Sequence, residues 1–402
     1  GAKGGDGGGG GASRGAKRGG VLEGAVIADG ESFPSPEHNN AKNRPDVLKR
    51  HLAATGGKTI TRFPPEPNGY LHIGHAKAIV LDFTYAADHG GECNLRFDDT
   101  NPAAESHEYI DSIKQSVAWL GFTPTRVTAS SDYFDRLYAY AVRLVATRKA
   151  YVCHVPRAEA QAQRRRGEPS PYRDTPVDVN LRKFEDMRRG VYAEGEAVLR
   201  LRIDAAHPNT TMRDPAAFRI KYLPHPHAGD RWCVYPTYDF THCISDSLEN
   251  VTHSFCTLEF DVRREIYEFI LDALGLYKPM QWEMSRLNLV DREVEVDEAT
   301  GAASHWLYVC TLSKRKLLAL VERGVARGWD DPRMPTLAGI RRRGFTPSAL
   351  RQFCRDIGVS RAPQLVPYRR LEHVLRLDLD AAAPRAFVVL RPLAVHITNY
   401  DE

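Results

Sequence analysis

The sequence predicts an α/β protein built on a doubly wound parallel sheet. Three observations carry that expectation. From Lys58 onward, short runs of strand character alternate with amphipathic helical runs, and such alternation at short spacing implies parallel pairing through crossovers. Two loops of unusual composition, residues 64–75 and 98–102, follow the first two strand runs. In sheets of this kind, ligands sit beyond the carboxyl ends of the strands, where both loops fall. The chain has 402 residues, 42% of them hydrophobic, which is enough for a sizeable core and two or three domains.

Residues 1–20 contain eleven glycines among Ala, Ser, Lys and Arg and read as a flexible tail. Residues 1–57 together form a tail and leader, with a short helix near Val47–Ala54, and the ordered body is expected to start near Lys58. Thr59–Phe63 reads as a strand. Pro65, Pro67, Asn68 and Gly69 are strong turn formers. Ala76, Ile79, Val80 and Phe83 then recur at helical spacing, and Gly90-Gly91 ends the run. The second strand is Cys93–Phe97. In the following Asp98-Asp-Thr-Asn-Pro102, Thr100 or Asn101 is expected to cap a helix with Pro102 in its first turn. That helix carries Ile110, Ile113, Val117 and Leu120, and Gly121 stops it. A further helix after Asp132 carries Phe134, Leu137, Leu144 and Val145.

Residues 58–150 thus form the first half of the α/β domain. Residues 151–230 are rich in Arg, Pro and Gly and contain alternating runs such as Ala197–Ile203 and Phe218–Tyr222; they read as an insertion lying over the site. The α/β pattern resumes at Trp232–Pro236 and continues through Tyr238–Glu249 to about Leu276, so residues 231–311 form the second half. Residues 312–383 are largely helical, with a proline-rich break at Trp329–Pro335. From Pro384 to residue 402 the pattern is strand-like, at Phe387–Leu390 and Leu393–Ile397.

Bulk properties exclude more than they assert. Lys and Arg total 55 and Asp and Glu 51, a balance too even to argue for a nucleic-acid partner by itself. Seven cysteines are scattered without a Cys-x-x-Cys pair, which fits reduced thiols in a cytoplasmic protein better than a disulfide frame or a zinc site. No run approaches a membrane span, and the N-terminus lacks an apolar signal core.

Four short stretches carry candidate chemistry. His72, Gly74 and His75 stand at a helix start, where free backbone N–H groups and the positive end of the helix dipole favour an anion. Two imidazoles there can donate to a phosphate that gains charge in its transition state. Gly74 would let a nucleotide approach the backbone. Ser313-Lys-Arg-Lys316 opens another helical run; cations at that end oppose the dipole, and a bound anion would relieve the conflict. One carboxylate of Asp98-Asp99 caps a helix and the other is free to hold an ammonium group. Tyr238–Cys243 mixes aromatic and polar groups at a helix start, where packing explains it equally well. Arg341–Arg343 and Arg164–Arg166 read as solvated faces that can also meet a nucleic-acid backbone.

The stretches "PEPNGYLHIGH", "RFDDTNP", "YPTYDFTHCISDSLE", "SRLNL", "LSKRK" and "WDDPRMPT" occur in this order over roughly residues 58–399. Together they resemble the glutaminyl-tRNA synthetase family, class I aminoacyl-tRNA ligases of the glutamyl/glutaminyl branch. The resemblance implies a Rossmann-like catalytic domain, an inserted domain gripping the tRNA acceptor end (151–230), a helical stem-contact subdomain (312–383) and the start of an anticodon-binding β-barrel (384–402). It implies ATP and Mg²⁺ as cofactors, L-glutamine and tRNA(Gln) as partners, no metal held by the protein and no membrane; a monomer is expected. Adenylate formation would be followed by transfer to the 2′-hydroxyl of the terminal adenosine. By motif position, His72, His75 and Lys314 would be catalytic. Glu66, Pro67, Asn68, His72, Ile73, Gly74, His75, Ala76, Lys77 and Ala78 would contact ATP, as would Thr257, Arg286, Leu287, Leu312, Ser313 and Lys314. Asp98, Tyr238 and Cys256 would contact glutamine. Glutamyl members tend to carry Arg where Cys256 stands, and a neutral Cys offers no partner for a buried γ-carboxylate. The family usually joins "RLNL" to "SKRK" by a few residues; here an acidic insertion, 290–311, intervenes. Three other readings stay open: a glutamyl-tRNA ligase, a generic nucleotidyltransferase, and a catalytically impaired tRNA-binding fragment.

Overall fold

A computed structural model describes residues 39–296 and 303–399 of the chain. Strands β1 (Ile60–Phe63), β2 (Glu92–Phe97) and β3 (Val127–Ala129) form a parallel sheet in that order. The helices Ile73–Asp88 and His107–Trp119 make the two crossovers. The first is buried along most of its length, with Ile73, Ala76, Ile79, Val80 and Phe83 in one core with Leu95, Phe97, Ile113 and Val117. That two-sided burial is what a helix covering a parallel sheet requires.

The insertion builds its own antiparallel sheet, β4 (Ala150–Cys153), β5 (Val198–Leu201), β6 (Ala216–Ile220) and β7 (Val234–Pro236). Residues 232–236 therefore close the insertion rather than resume the α/β layer: β7 pairs with β6 from Ile220↔Val234 to Phe218↔Pro236. Its core is shared with helices Phe134–Ala146, Val177–Arg188, Tyr238–Leu248 and Arg264–Leu274.

The layer continues with β8 (His253–Thr257) and β9 (Met280–Met284), a parallel pair. Strand β8 lies beside β1, where Thr252 N donates to the Ile60 carbonyl at 2.8 Å and Arg62 reaches Ser254 and the Phe255 carbonyl. The order across the layer is β3-β2-β1-β8-β9. Its direction of progression reverses between β1 and β8, the position where a doubly wound sheet opens a crevice. A third small sheet joins β10 (Leu287–Val296) to β11 (Ala303–Val309) antiparallel and to β12 (Gln364–Pro367) parallel. The region read as an acidic insertion is thus a β-hairpin. Asp291 lies on its stem and is exposed, while Glu293, Glu295, Asp297 and Glu298 fall outside the residues whose side chains are described.

Three expectations are corrected. The ordered body starts before Lys58: the helix Pro45–Thr55 buries Val47 and His51, and His51 stacks on Tyr277 at 3.5 Å. The helix after "DDTNP" starts at His107, capped by Ser106 accepting from Tyr109 N, so Pro102 sits in a turn ahead of it. Residues 384–399 contain no strand; Phe387 is 94% and Leu393 87% exposed. Strand character needs a neighbour to take the backbone donors and acceptors, and no described strand lies beside this segment.

Candidate functional site

The loop leaving β1 turns through Pro65–Gly69 and enters helix 73–88 at His72, its N-cap. His72 Nδ1 accepts from Gly74 N at 3.1 Å, and His75 Nδ1 accepts from His72 N at 3.1 Å. Ile73 N donates to the Pro335 carbonyl and His75 N to the His72 carbonyl. The expected free backbone donors are therefore already used. What remains is chemically sharper: with Nδ1 of both rings accepting, the neutral tautomer carries its proton on Nε2. The rings lie 3.9 Å apart. Burial, then the cations Lys314 and Arg286, holds His72 down to about 3; burial, His72 and Lys314 hold His75 well below its ordinary value. Both are neutral N–H donors near pH 7. Gly74 is required for this cap, since a Cβ there would stand 2.9 Å from His72 Cε1.

Lys314 arrives from the far end of the sequence. Ser313 stands at the N-cap position of the helix Lys314–Glu322 without a side-chain capping bond, and Lys314 Nζ donates to Asn68 Oδ1 at 2.6 Å and to the Glu66 carbonyl at 3.3 Å. Asn68 Nδ2 in turn donates to Glu66 Oε2 at 2.6 Å. Burial pulls the Lys314 ammonium down to about 8. Leu312 packs against the main core, with Cδ1 over Gly74. The structure brings Glu66, Asn68, His72, Gly74, His75, Leu312 and Lys314 to one place.

Asp98 and Asp99 divide differently from expectation. Neither caps the helix at His107. Asp99 accepts from Ser131 N and Oγ, at 2.9 and 2.6 Å, tying the loop to the turn before helix 134–146. Asp98 Oδ1 accepts from Arg96 Nε and Ser130 Oγ, while Oδ2 is buried without a hydrogen-bond partner. That oxygen is available for a cation.

Cys256 ends up beside a group the sequence reading missed. Arg62 is wholly buried on β1 with Nη2 3.7 Å from Cys256 Sγ. Its guanidinium also meets Asp246, the Phe255 carbonyl, His242 and Ser254. Arg96 pairs with Asp98, Asp246 and Glu249. A cation does stand next to Cys256, but it is consumed: two guanidinium groups face three carboxylates, a balance of −1. Tyr238 and His242 stack at 5.2 Å alongside, and burial holds His242 at about 4, neutral. The only sequence signal for Arg62 was a charged residue inside a strand otherwise buried throughout.

Several of the residues expected to contact a nucleotide are buried. Ile73, Ala76 and Leu287 are core residues, Pro67 is buried, and Lys77 is buried with Nζ donating to the Ser285 carbonyl. Ala78 packs at the core edge. Thr257 ends β8, and Arg286 pairs with Glu259 at 2.6 Å.

The sequence profile described as "tRNA synthetases class I (E and Q), catalytic domain" matches residues 58–295 and 307–380. The chain belongs to this family. Within it, the chain is 51% identical over 371 residues to a probable glutamine–tRNA ligase of Dictyostelium discoideum, covering 92% of this chain and 45% of that protein. It is 51% identical over 348 residues to glutamine–tRNA ligase of Actinobacillus succinogenes, covering 85% and 59%. It is 48% identical over 371 residues to the Bos taurus glutamine–tRNA ligase, covering 92% and 45%. The chain thus spans about half the length of the curated relatives it matches. A glutamate tRNA ligase structure from Elizabethkingia meningosepticum superposes with a TM-score of 0.55 at 16% identity, over 81% of this chain and 70% of that one, and shows the shared fold. The His72 end of the crevice is where the donor groups of His72, His75 and Lys314 gather.

Proposed function

We propose that the chain carries the catalytic activity of a glutamine–tRNA ligase. The observation that carries this reading is the meeting of Lys314 with the loop 66–75 at the mouth of the crevice, across 246 residues of sequence. Glutamine's carboxylate oxygen attacks the α-phosphorus of ATP and pyrophosphate leaves. The 2′-hydroxyl of the terminal adenosine then attacks the adenylate's carbonyl carbon and AMP leaves. No covalent bond to protein forms, so the work is positioning and charge stabilisation.

His72 and His75 donate from Nε2–H to phosphate oxygens as their charge shifts, and Lys314 pairs with the departing pyrophosphate. Glu66 and Asn68 shape the nucleotide loop, and Thr257 and Arg286 border it. The free Asp98 Oδ2 takes the amino acid's ammonium. Mg²⁺ would be carried by the triphosphate, because it favours phosphate and water oxygens. In this reading the inserted sheet β4–β7 would receive the acceptor end, and the arginine-bearing helices after residue 337 would meet the stem. The described cysteines are all unpaired, which fits a reducing cytoplasm.

Glutamine rather than glutamate follows from the charge around Cys256. A γ-carboxylate would find both buried guanidinium groups already matched by carboxylates and no free cation to pair with, whereas an amide adds no charge. Glutamine-dependent ATP–pyrophosphate exchange with and without tRNA(Gln) tests the reading. Exchange that needs glutamine supports it. Equal rates with glutamate, or no exchange with any amino acid, would overturn it.

A further inference from the structure

The helix Lys314–Glu322 is not part of the main core. Its Leu317 packs in a small separate cluster with Ala326 and Met334, edged by Leu320, Val321 and Trp329. Just upstream, Cys310 and Leu312 rest on the main core. Lys314 therefore stands at the seam between two packing units, on a four-carbon stem that is intrinsically mobile.

One residue bridges the seam. The Trp329 indole stacks on Tyr70, two residues before His72, with centroids 5.4 Å apart and planes 6° from parallel. Tyr109 meets both rings edge-on, at 6.1 and 6.3 Å. The Trp329 carbonyl accepts from Thr336 Oγ1 at 2.5 Å, and Thr336 bridges to His72 through the backbone. Gly69 lies beneath: a Cβ there would stand 3.4 Å from Lys314 Cδ and 3.8 Å from Trp329 Cη2. The Lys314 stem and the indole edge thus both border the space above one glycine, and the missing Cβ leaves the room both need.

We propose that Trp329, stacked on Tyr70, is a positioning residue that holds Lys314 over the phosphate-facing end of helix 73–88 before a nucleotide arrives. The inference rests on the proposed ligase reading and deepens it. Trp329 touches no reacting group; it acts through Lys314. A loop ordered by an aromatic stack in advance spares nucleotide binding the entropy of immobilising it. Loss of the stack therefore weakens ATP engagement more than the chemical step.

The experiment compares the full chain with Trp329→Ala and Trp329→Phe in two measurements. In amide hydrogen exchange without nucleotide, the Ala variant should exchange about tenfold faster over residues 311–317, with residues 134–146 and 264–274 unchanged, and the Phe variant should stay within about threefold of the parent. In glutamine-dependent pyrophosphate exchange, KM for ATP should rise about tenfold in the Ala variant with kcat within about threefold, and Phe should restore most of the loss. Unchanged amide exchange over 311–317, a rise spread over the whole chain, or a fall confined to kcat would overturn the proposal. If the parent chain shows no glutamine-dependent exchange, the ligase reading fails, and the amide measurement alone decides whether Trp329 holds Lys314.

Discussion

The ammonium of Lys314 donates to the side-chain oxygen of Asn68 at 2.6 Å. Asn68 passes its own amide donor to Glu66 Oε2, so the loop holds the cation through a neutral amide rather than through a direct ion pair, with the Glu66 carboxylate acting on it only from one residue further away. Lys314→Met keeps the stem and removes that charge. It should lower kcat for pyrophosphate exchange by about 100-fold or more, as loss of one preorganised donor to a developing anion does. Asn68→Ala leaves the Glu66 carbonyl contact at 3.3 Å and should cost less than about tenfold. Steady-state exchange kinetics on both variants check the ranking; an Asn68→Ala loss equal to that of Lys314→Met contradicts it.

Burial lowers Lys314 to about 8 from its ordinary 10.5. The folded state therefore binds fewer protons than the unfolded chain between those values, and this group's contribution to stability rises with pH across that window. A bound triphosphate reverses the local balance by favouring the ammonium. ATP binding near pH 8 should then take up about half a proton, rising toward about one at pH 9. Titration calorimetry in buffers of different ionisation enthalpy measures this uptake. It should vanish in Lys314→Met; an uptake that persists there belongs to another group.

Arg62 and Asp246 form a wholly buried pair, with Nε 3.0 Å from Oδ1. Removing one member strands a buried charge, which costs about 3–5 kcal/mol. Arg62→Met should lose that much stability in urea unfolding. Adding Asp246→Asn should return part of it, because Arg96 is then left with Asp98 and Glu249 as partners. A double variant less stable than the sum of the single ones would show that Arg62 and Asp246 do not offset each other.

The parallel layer was legible because its signals are local. The Gly90-Gly91 stop, the Pro65–Gly69 turn and the 3.6-residue apolar rhythm of helix 73–88 each act within a few residues. The meeting of Lys314 with Asn68 was reachable only through resemblance, since no periodicity links positions 246 apart. Arg62 escaped notice because charge inside a strand has no local partner; Asp246, His242 and Cys256 come from other elements. Pro102 misled for the opposite reason. Its local preference for a first helical turn is real, but the Ser106 cap prevails over it. Residues 387–397 read as strands on composition, and a strand exists only with a neighbour.

The hairpin β10–β11 makes the last case, because its inner and outer parts are held differently. Leu287–Val290 pairs with β12 as well as leading into the hairpin, and Cys310 N donates to the Leu289 carbonyl at 2.8 Å. Those bonds fix the approach to Lys314. From Asp291 outward, β10 pairs with β11 alone, and the family profile has no counterpart for residues 296–306. Replacing residues 293–306 by Asn-Gly joins Arg292 to Leu307, which already face each other in the ladder, through the two-residue turn that suits such a pair. The shortened chain should keep its urea midpoint, and pyrophosphate exchange should stay within about threefold of the parent, since ladder bonds beyond Asp291 add little to the anchored stem. A loss beyond about tenfold would mean that the outer hairpin acts on the site. A gain of similar size would mean that its acidic residues repel the triphosphate, the effect their charge alone would have at short range.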